Sequence, residues 1–260
     1  MFVNKVLDKY NNGEKSVGTF SWLGSMTAAE ALGLGGWDYV IVDNEHGPFS
    51  PETSLEMFRV LEKYGATAFA RIPDTTRPNV LKYLDAGAKG LIVPNIKTID
   101  ECKKLVEYGK YMPVGNRGVA MSNGTDFGLN PEYMEGGLEG YFKLMNERTM
   151  IIPQCETVEC LEMIDEVFAL DGIDGVFVGP FDLSCAMGMP GQFDRPEFQA
   201  ALKKIVDAAK KANKFVMKFS ADAKMAAADL AMGYDSVTLA ADVTFLVEAS
   251  KAAIATAKGE

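Results

Sequence analysis

The sequence contains a single histidine, His46, among 260 residues, and its four cysteines form no Cys-x-x-Cys pair. Zinc fingers and three-histidine zinc sites are therefore excluded. No apolar run is long enough to span a bilayer, and the amino-terminal segment lacks the apolar core of a signal peptide. These absences predict a cytoplasmic protein with reduced thiols.

Basic residues are also in short supply, with 26 Lys and Arg against 36 Asp and Glu, which gives a net charge of −10. This balance argues against a nucleic-acid partner and against an anionic membrane surface. It does not exclude a small anionic substrate, because one or two well-placed arginines can bind one. With 48% hydrophobic residues the chain can bury a substantial core.

Short apolar, β-branched runs alternate with helical patterns along nearly the whole sequence. Eight such runs predict strands at residues 16–20, 39–42, 67–71, 90–94, 150–154, 174–178, 214–219 and 235–240. Helices are predicted at 27–32, 51–64, 78–87, 99–108, 158–170 and 196–212, with an Ala-rich helix after each of the last two strands. This pattern predicts a single-domain (β/α)₈ barrel, a TIM barrel, over residues 1–260. An open doubly wound sheet is the alternative, although no Gly-x-Gly-x-x-Gly or P-loop motif supports its nucleotide-binding versions.

Two local features stand out within this alternation. Thr27 is predicted to cap its helix, with Glu30 three residues later completing a capping box. Residues 112–137 are rich in Gly, Asn and Pro and have no clear period, so we expect a long functional or mobile loop there.

The second predicted strand ends in Asp43, Glu45 and His46, followed by a Gly-Pro turn. Barrel enzymes carry their catalytic residues at the carboxyl ends of the strands. His46, oriented by Asp43, is therefore a candidate general acid or base at neutral pH. A capped strand end with a hydrogen-bonded surface histidine is the alternative interpretation.

Other predicted strands also end in polar residues that would meet at one rim. Glu156 and Asp182 follow consecutive strands, and such carboxylates are typical ligands of Mg²⁺ or Mn²⁺. Arg71 would supply a fixed positive charge for a carboxylate or a developing enolate. Asp182, Ser220 and Asp242 are also well placed to cap helices. Together, a metal, a fixed cation and an Asp–His pair suit proton abstraction or carbon–carbon cleavage beside a carbonyl.

Several motifs in the same order as these strand ends resemble the HpcH/HpaI aldolase family. They are Asp43-x-Glu45-His46, Arg71, Gly115-x-Arg117-Gly118-Val119, Gln154-x-Glu156, and the run from Asp171 through Gly179-Pro180-x-Asp182-Leu183-Ser184. The resemblance covers nearly the whole chain. It implies a metal-dependent class II aldolase that reversibly cleaves a 4-hydroxy-2-oxo acid to pyruvate and an aldehyde.

The resemblance also implies roles for individual residues. Glu156 and Asp182 would bind the divalent metal, which would be Mg²⁺ or Mn²⁺, with Co²⁺ as a further candidate. Gln154 and Arg71 would contact the pyruvate moiety, and His46 with Asp43 would handle the proton of the C4 hydroxyl. Family members assemble as dimers of barrels or as hexamers, so a homo-oligomer is expected, with the last helix packed on a neighbour.

Four features depart from the family pattern: Asn44 stands where many relatives have Gly, residues 122–128 follow the usual loop only loosely, and Phe181 and Lys218 differ as described next. Phe181 stands where many relatives have a small residue, so it is predicted to line and narrow the substrate pocket beside Asp182. Lys218 occupies a usually apolar position in the seventh strand. A lysine facing the barrel interior could form a Schiff base with pyruvate, whereas one facing the other way would pair with a carboxylate or reach the solvent.

Three alternatives remain open at this point. An acyl-CoA lyase of the citrate-lyase β-subunit type is a related enzyme, and a non-catalytic barrel that binds an oxo acid belongs to a different functional class. Cys155 and Cys185 lie near the predicted rim, so a reactive thiol is the alternative to buried small apolar residues.

Overall fold

A computed structural model of the chain describes residues 3–131 and 135–259. Its core is a closed barrel of eight parallel strands in sequence order. The strands are β1 Ser16–Ser21, β2 Tyr39–Asp43, β3 Thr67–Arg71, β4 Gly90–Val93, β5 Met150–Cys155, β6 Gly175–Val178, β7 Phe215–Ser220 and β8 Ser236–Ala241. The prediction of a (β/α)₈ barrel is confirmed, and the open sheet is wrong because β1 pairs with β8.

Helices surround the barrel. They are α1 Lys5–Asn11, α2 Met26–Leu34, α3 Pro51–Lys63, α4 Arg77–Ala86, α5 Ile99–Gly109, α6 Gly137–Arg148, α7 Val158–Glu162, α8 Ile164–Ala169, α9 Pro180–Ala186, α10 Pro196–Ala212, α11 Ala223–Met232 and α12 Asp242–Lys258. None of those in the described ranges is long and apolar enough to cross a membrane. The sequence did not predict α1, α6 or α9. The helix predicted at 158–170 divides at Met163 into α7 and α8.

Strand β2 is apolar on both faces because each face meets a different packing partner. In β2, Tyr39 and Ile41 join the cluster that fills the barrel interior. Val40 and Val42 join the larger cluster between the barrel and the helices. This division follows from the two-residue period of a strand and explains the uninterrupted apolar run.

Helix signals in the sequence were mostly accurate. Pro78 lies in the first turn of α4, and Gly87 ends that helix in the left-handed conformation at φ 118°. The predicted cap at Thr27 is wrong, since α2 begins at Met26 after Ser25, without a side-chain cap. Glu30 instead accepts a hydrogen bond from the Tyr64 hydroxyl and is not available for a capping box.

Helix α1 covers the amino-terminal end of the barrel. Val6 is fully buried, and Tyr10 packs edge-on against Phe215 of the interior cluster at 5.5 Å. Asn4 caps α1 by accepting the Leu7 N–H at 3.1 Å. Its amide also donates to main-chain oxygens just before β4 and β5, which fastens the helix to the strand ends.

The segment predicted as a long loop at 112–137 lies partly outside the described residues. Its described part includes a 3₁₀ turn, Asn123–Gly128. Arg117 is buried there, donates to Asp85 of α4 at 2.7 Å, and lies over the Tyr111 ring at 4.9 Å. The arginine of this sequence motif therefore anchors the segment against α4.

Candidate active site

A buried ion pair joins Asp43 to Arg71 at the carboxyl ends of β2 and β3. The two residues end their strands and are register partners, so their side chains lie side by side. Arg71 Nε donates to Asp43 Oδ1 at 2.9 Å and Nη2 donates to Oδ2 at 2.6 Å. Burial opposes ionisation of Asp43, but the hydrogen bonds from Arg71 and from the Trp22 indole outweigh it and lower the pKa of Asp43.

Arg71 has two further neighbours that fix its orientation. Its guanidinium lies 4.6 Å from the centre of the Phe20 ring, and its Nε lies 3.3 Å from Glu45 Oε2. A guanidinium held by two carboxylates and an aromatic face keeps one orientation and a permanent charge.

Trp22 links the Asp43–Arg71 pair to Asp242 at the start of α12. Its Nε1 donates to Asp43 Oδ2 at 2.8 Å, and its main-chain N–H donates to Asp242 Oδ1 at 2.9 Å. Asp242 also accepts the Ser21 hydroxyl and the Leu23 N–H. Asp242, which sequence analysis considered as a helix cap, thus holds the end of β1 against the start of α12.

The imidazole of His46 is two-thirds exposed, at 66%, and its Nε2 lies 3.8 Å from Glu45 Oε2. Only the main-chain N–H of His46 reaches Asp43, at 3.4 Å from Oδ1. The expected side-chain pairing of Asp43 with His46 is therefore absent from this structure. The reason is that Arg71 and Trp22 already occupy both oxygens of the Asp43 carboxylate.

Glu156 follows β5 directly and is held from two sides. The Asn95 main-chain N–H donates to its Oε1 at 2.6 Å, and the Gln154 amide donates to its Oε2. Gly179 permits this packing, since a Cβ there would lie 3.0 Å from Glu156 Oε2 and 3.1 Å from Gln154 Nε2. Burial and the negative charge of Asp182 raise the pKa of Glu156 despite these hydrogen bonds.

The short helix α9 brings Phe181 and Asp182 to the same rim. Pro180 starts the helix one residue after β6, so both side chains lie in its first turn. Phe181 is half-exposed and meets Phe193 edge-on at 5.1 Å and Phe219 at 6.0 Å.

Two cavities meet at His46 and Asp182, which line both of them. The first, here called the polar cavity, has a volume of about 580 Å³ and is also lined by Glu45, Asn95, Lys97 and Glu156. The second, here called the apolar cavity, has a volume of about 450 Å³ and is also lined by Trp22, Arg71, Gln154, Phe181 and Phe219. The structure thus brings the predicted site residues to one rim, with Asp43 buried behind Arg71.

The residues at this junction fit a divalent cation. Glu156 and Asp182 interact electrostatically across it, and carboxylate oxygens are the ligands that hard cations prefer. The Gln154 Oε1 is buried without a hydrogen-bond partner in the described structure. No group of three or more His, Cys, Asp or Glu side chains in the described ranges is placed to hold a metal. The chain would therefore supply two carboxylates and leave other positions to substrate and water.

Lys218 lies outside both cavities. Its neighbours Met217 and Phe219 pack with the barrel interior, so Lys218 points outward toward α11. Its Nζ contacts Asp229 Oδ2 at 2.6 Å, and the Ser220 hydroxyl donates to the same oxygen at 2.7 Å. The carboxylate-paired interpretation of Lys218 agrees with this geometry, and Ser220 does not act as a helix cap.

The cysteines are all free thiols, and three of them are buried. Burial raises the pKa of Cys102 to about 12. A hydrogen bond with Cys155, together with burial, raises the pKa of Cys160. Cys185 on α9 is exposed. The buried thiols behave as small apolar groups.

The sequence did not predict Phe20, Trp22 or Phe219 as site residues. Trp22 directly follows β1, so the rule that drew attention to the other strand ends also applies to it. Phe219 lies on the inward face of β7, where an apolar residue is indistinguishable by sequence from the core.

Comparison with known proteins adds independent information. The model of the HpcH/HpaI aldolase/citrate lyase family matches residues 16–249. The chain is 34% identical over 190 residues to a hydroxypyruvate/pyruvate aldolase of Sagittula stellata, covering 73% of this chain and 72% of that protein. It is 28% identical to a 2-keto-3-deoxy-L-rhamnonate aldolase of Escherichia coli O157:H7, covering 96% of this chain and 91% of that protein.

Solved structures agree with the sequence matches. An HpcH/HpaI aldolase/citrate lyase family protein from Burkholderia cenocepacia J2315 superposes with a TM-score of 0.89 at 28% identity, covering 98% of this chain and all of that chain. The named relatives are carbon–carbon lyases, in agreement with the predicted enzyme class. By the family match over residues 16–249, this chain belongs to the HpcH/HpaI aldolase/citrate lyase family.

Proposed function

We propose that this enzyme is a class II aldolase that reversibly cleaves a 4-hydroxy-2-oxo acid to pyruvate and an aldehyde. The observation that carries the proposal is the junction of the two cavities. There a fixed cation, a buried amide, two carboxylates and an exposed imidazole line two adjacent cavities that share His46 and Asp182. The aldolase relatives support the same reaction type.

Arg71 and Gln154 are the proposed binding groups for the pyruvate portion. Both line the apolar cavity and both are buried, so they can bind a carboxylate or an oxo group away from water. Because Asp43 and the Phe20 ring fix Arg71, its charge is already oriented before the substrate arrives. Such preorganised charge stabilises a transition state without reorganisation.

Glu156 and Asp182 are the proposed ligands of a divalent cation, either Mg²⁺ or Mn²⁺, with Co²⁺ as a further candidate. When bound, the cation would polarise the oxo group and stabilise the negative charge that develops there. Glu156 is held by Asn95 and Gln154, so its carboxylate is oriented before a cation binds.

His46 is the proposed base for the C4 hydroxyl. As that proton leaves, the C3–C4 bond breaks, C4 becomes the aldehyde carbon, and the electron pair passes to the enolate of pyruvate. Protonation of C3 then gives pyruvate. His46 suits the first step because its ring is exposed where the two cavities meet. Asp43 contributes by orienting Arg71 and the main chain at His46.

The direct test is pyruvate release from a panel of 4-hydroxy-2-oxo acids by purified protein with Mg²⁺, Mn²⁺ or Co²⁺, and with a chelator. We expect cleavage that depends on the added cation. Full activity of the chelated protein would exclude the metal-dependent mechanism. Oxo-acid binding without turnover would support the non-catalytic alternative, and turnover restricted to acyl-CoA substrates would support the citrate-lyase type.

We also propose that the chain forms a homo-oligomer through α12, either a dimer or a hexamer. Only Asp242 of this 17-residue helix is buried, whereas Leu246, Val247 and Ile254 are exposed. An apolar helix face of this kind is typical of a surface covered by a partner. Light scattering should give an oligomer mass that falls to the monomer in the variant Leu246→Glu/Ile254→Glu. A monomeric native protein would exclude the proposal.

A further inference from the structure

Four aromatic rings form a continuous surface along one side of the apolar cavity. We call this surface the aromatic wall; it consists of Phe20, Trp22, Phe181 and Phe219. The Phe20 ring lies 6.2 Å from that of Trp22 and 6.0 Å from that of Phe219, and the Phe219 ring lies 6.0 Å from that of Phe181. Trp22 is 40% exposed and Phe181 is 48% exposed, so both are accessible at the mouth of the cavity.

Small apolar residues complete this side of the cavity. The pairing of β1 with β8 shifts register near the rim, and Ala240 adopts a left-handed conformation at φ 46°. Ala240 and the adjacent Ala241 consequently both line the cavity, although consecutive strand residues ordinarily face opposite sides. A strained alanine at the rim leaves room beside the wall and adds no polar side chain.

Three charged or ionisable groups also line the apolar cavity, and one of them, Arg71, lies directly against the Phe20 ring of the wall. They are His46, Arg71 and Asp182, which the proposed function already assigns to the reaction. Arg71 is paired with Asp43 and Glu45, and no other Lys or Arg of the described chain lines this cavity. A second carboxylate on the substrate would therefore meet no free cation there.

The polar cavity offers different chemistry, with Lys97 and Glu159 among its lining residues. It does not contain Arg71 or Gln154, the two proposed pyruvate-binding groups. The aldehyde carbon must lie within bonding distance of C3 of pyruvate. A substituent that stays in the cavity lined by Arg71 and Gln154 lies along the aromatic wall.

We infer that the natural substrate is a 4-hydroxy-2-oxo acid whose substituent on C4 is uncharged and apolar. This inference rests on the proposed aldolase function and adds the chemical class of the aldehyde. An alkyl or aromatic substituent removes apolar surface from water against the wall. A carboxylated one would lose hydration there without gaining a free cation, and a hydroxylated one would find Thr244 as the one hydroxyl side chain among the described lining residues.

The test measures aldol addition by the metal-loaded enzyme with saturating pyruvate and a series of aldehydes. Linear aldehydes from ethanal to pentanal should show kcat/KM values that rise about twofold to fourfold per methylene. Glyceraldehyde and succinic semialdehyde should fall about tenfold or more below linear aldehydes of similar size, because Thr244 can pair with at most part of their polar groups and the described part of this cavity holds no free cation for a carboxylate. The KM for pyruvate should be the same throughout.

Variants of Phe181 and Lys97 show which cavity causes the dependence of the rate on the aldehyde. Phe181→Ala should flatten the dependence on chain length and leave the KM for pyruvate unchanged, and Phe181→Leu should keep part of the slope. Lys97→Ala is the matched control in the polar cavity and should leave the ranking unchanged. The inference would be overturned if the hydroxylated or carboxylated aldehydes reacted faster than the linear ones. It would also be overturned if Lys97→Ala altered the ranking and the Phe181 variants did not. If no aldehyde reacts and no oxo acid is cleaved, the proposed function itself fails; reaction with any aldehyde preserves it.

Discussion

Arg71 carries a permanent charge at a position that is only 7% exposed, so its surroundings must replace the water that it has lost. Asp43, Glu45 and the Phe20 ring do so together. Removing one partner of such a buried pair leaves the other charge uncompensated, which costs far more than the pair contributes. We therefore expect Asp43 to act on the site through Arg71, which it holds in place.

The proposed cation ligands can be tested by binding. Glu156→Gln and Asp182→Asn each remove one negative charge and should weaken Mn²⁺ binding about 100-fold or more, because carboxylates dominate affinity for hard cations. Isothermal titration of the chelated protein with Mn²⁺ measures this directly. Glu159→Gln is the control, since Glu159 lines the polar cavity and is exposed. Unchanged Mn²⁺ affinity in both ligand variants would exclude these residues as the site.

His46 can be tested by kinetics. His46→Ala should lower kcat by roughly 10² to 10⁴, the usual contribution of a positioned acid or base, with little change in the KM for the oxo acid. Exchange of the C3 protons of pyruvate with solvent should be less affected, because that step does not involve the C4 hydroxyl. A variant as active as the native enzyme between pH 6 and pH 9 would show that His46 is structural.

Lys218 is expected to stabilise the fold and to take no part in the chemistry. Lys218→Met leaves the buried Asp229 without its ion-pair partner, so it should lower the free energy of unfolding by about 3 to 5 kcal/mol. Urea denaturation measures this, and the folded variant should still release pyruvate. Borohydride treatment with pyruvate should give no adduct, whereas a covalent adduct on Lys218 with loss of activity would require a Schiff-base mechanism.

At the scale of single residues, the sequence predicted which side chains lie together at the site but not which of them hydrogen-bond to each other. Asp43, Arg71, Gln154, Glu156 and Asp182 were predicted because each follows a recognisable strand end. The partner of Asp43 was predicted as His46, three positions away along the chain. In the barrel, a register partner on the next strand lies closer, and a bidentate arginine occupies both oxygens of the carboxylate. Pairing across strands depends on register, which a single sequence does not give.

Among the elements, the short helices α1 and α9 were the hardest to predict. Each has seven residues, so it has too few turns for a periodic pattern to stand out. α1 is fixed by its contacts with the barrel end that it covers, whereas α9 begins at Pro180, one residue after β6. The longer helices, such as α10, were predicted at their observed bounds because the pattern repeats several times.

The attachment of α1 should depend on pH through Asp38. Burial opposes ionisation of Asp38, but hydrogen bonds from Lys9, the Val17 main chain and Lys5 outweigh it and lower its pKa. A lowered pKa means that the ionised carboxylate stabilises the folded state above the ordinary pKa of Asp. That stabilisation is lost as the pH falls through the folded-state pKa.

Asp38→Asn should therefore lower the free energy of unfolding by about 1 to 2 kcal/mol at neutral pH, as expected for hydrogen bonds to a charged group. The difference from the native protein should be constant above about pH 5 and should shrink below about pH 4. Urea denaturation across this range measures it. Asp100→Asn, an exposed change in α5, is the control and should have little effect. A difference that grows on acidification would contradict the assignment.

For the whole molecule, the order of eight β/α units was predictable because strand and helix periods differ and alternate along most of the chain. The segment between α5 and β5 does not follow this alternation. It contains α6, whose buried residues Tyr141 and Met145 pack in a separate small cluster with Tyr111. That cluster forms within the segment between α5 and β5, so the alternation of strands and helices does not predict it.

The position of α1 has a consequence for the order in which products leave. Helix α1 covers the amino-terminal end of the barrel, and aromatic side chains fill the barrel interior. The proposed pyruvate-binding residues, Arg71 and Gln154, are therefore reached from the carboxyl end, past the aromatic wall. An aldehyde bound along that wall, as inferred above, would depart first and pyruvate last. In the cleavage direction, pyruvate should be a competitive product inhibitor toward the oxo acid, and the aldehyde a noncompetitive one. Competitive inhibition by the aldehyde would mean that pyruvate escapes by a different route.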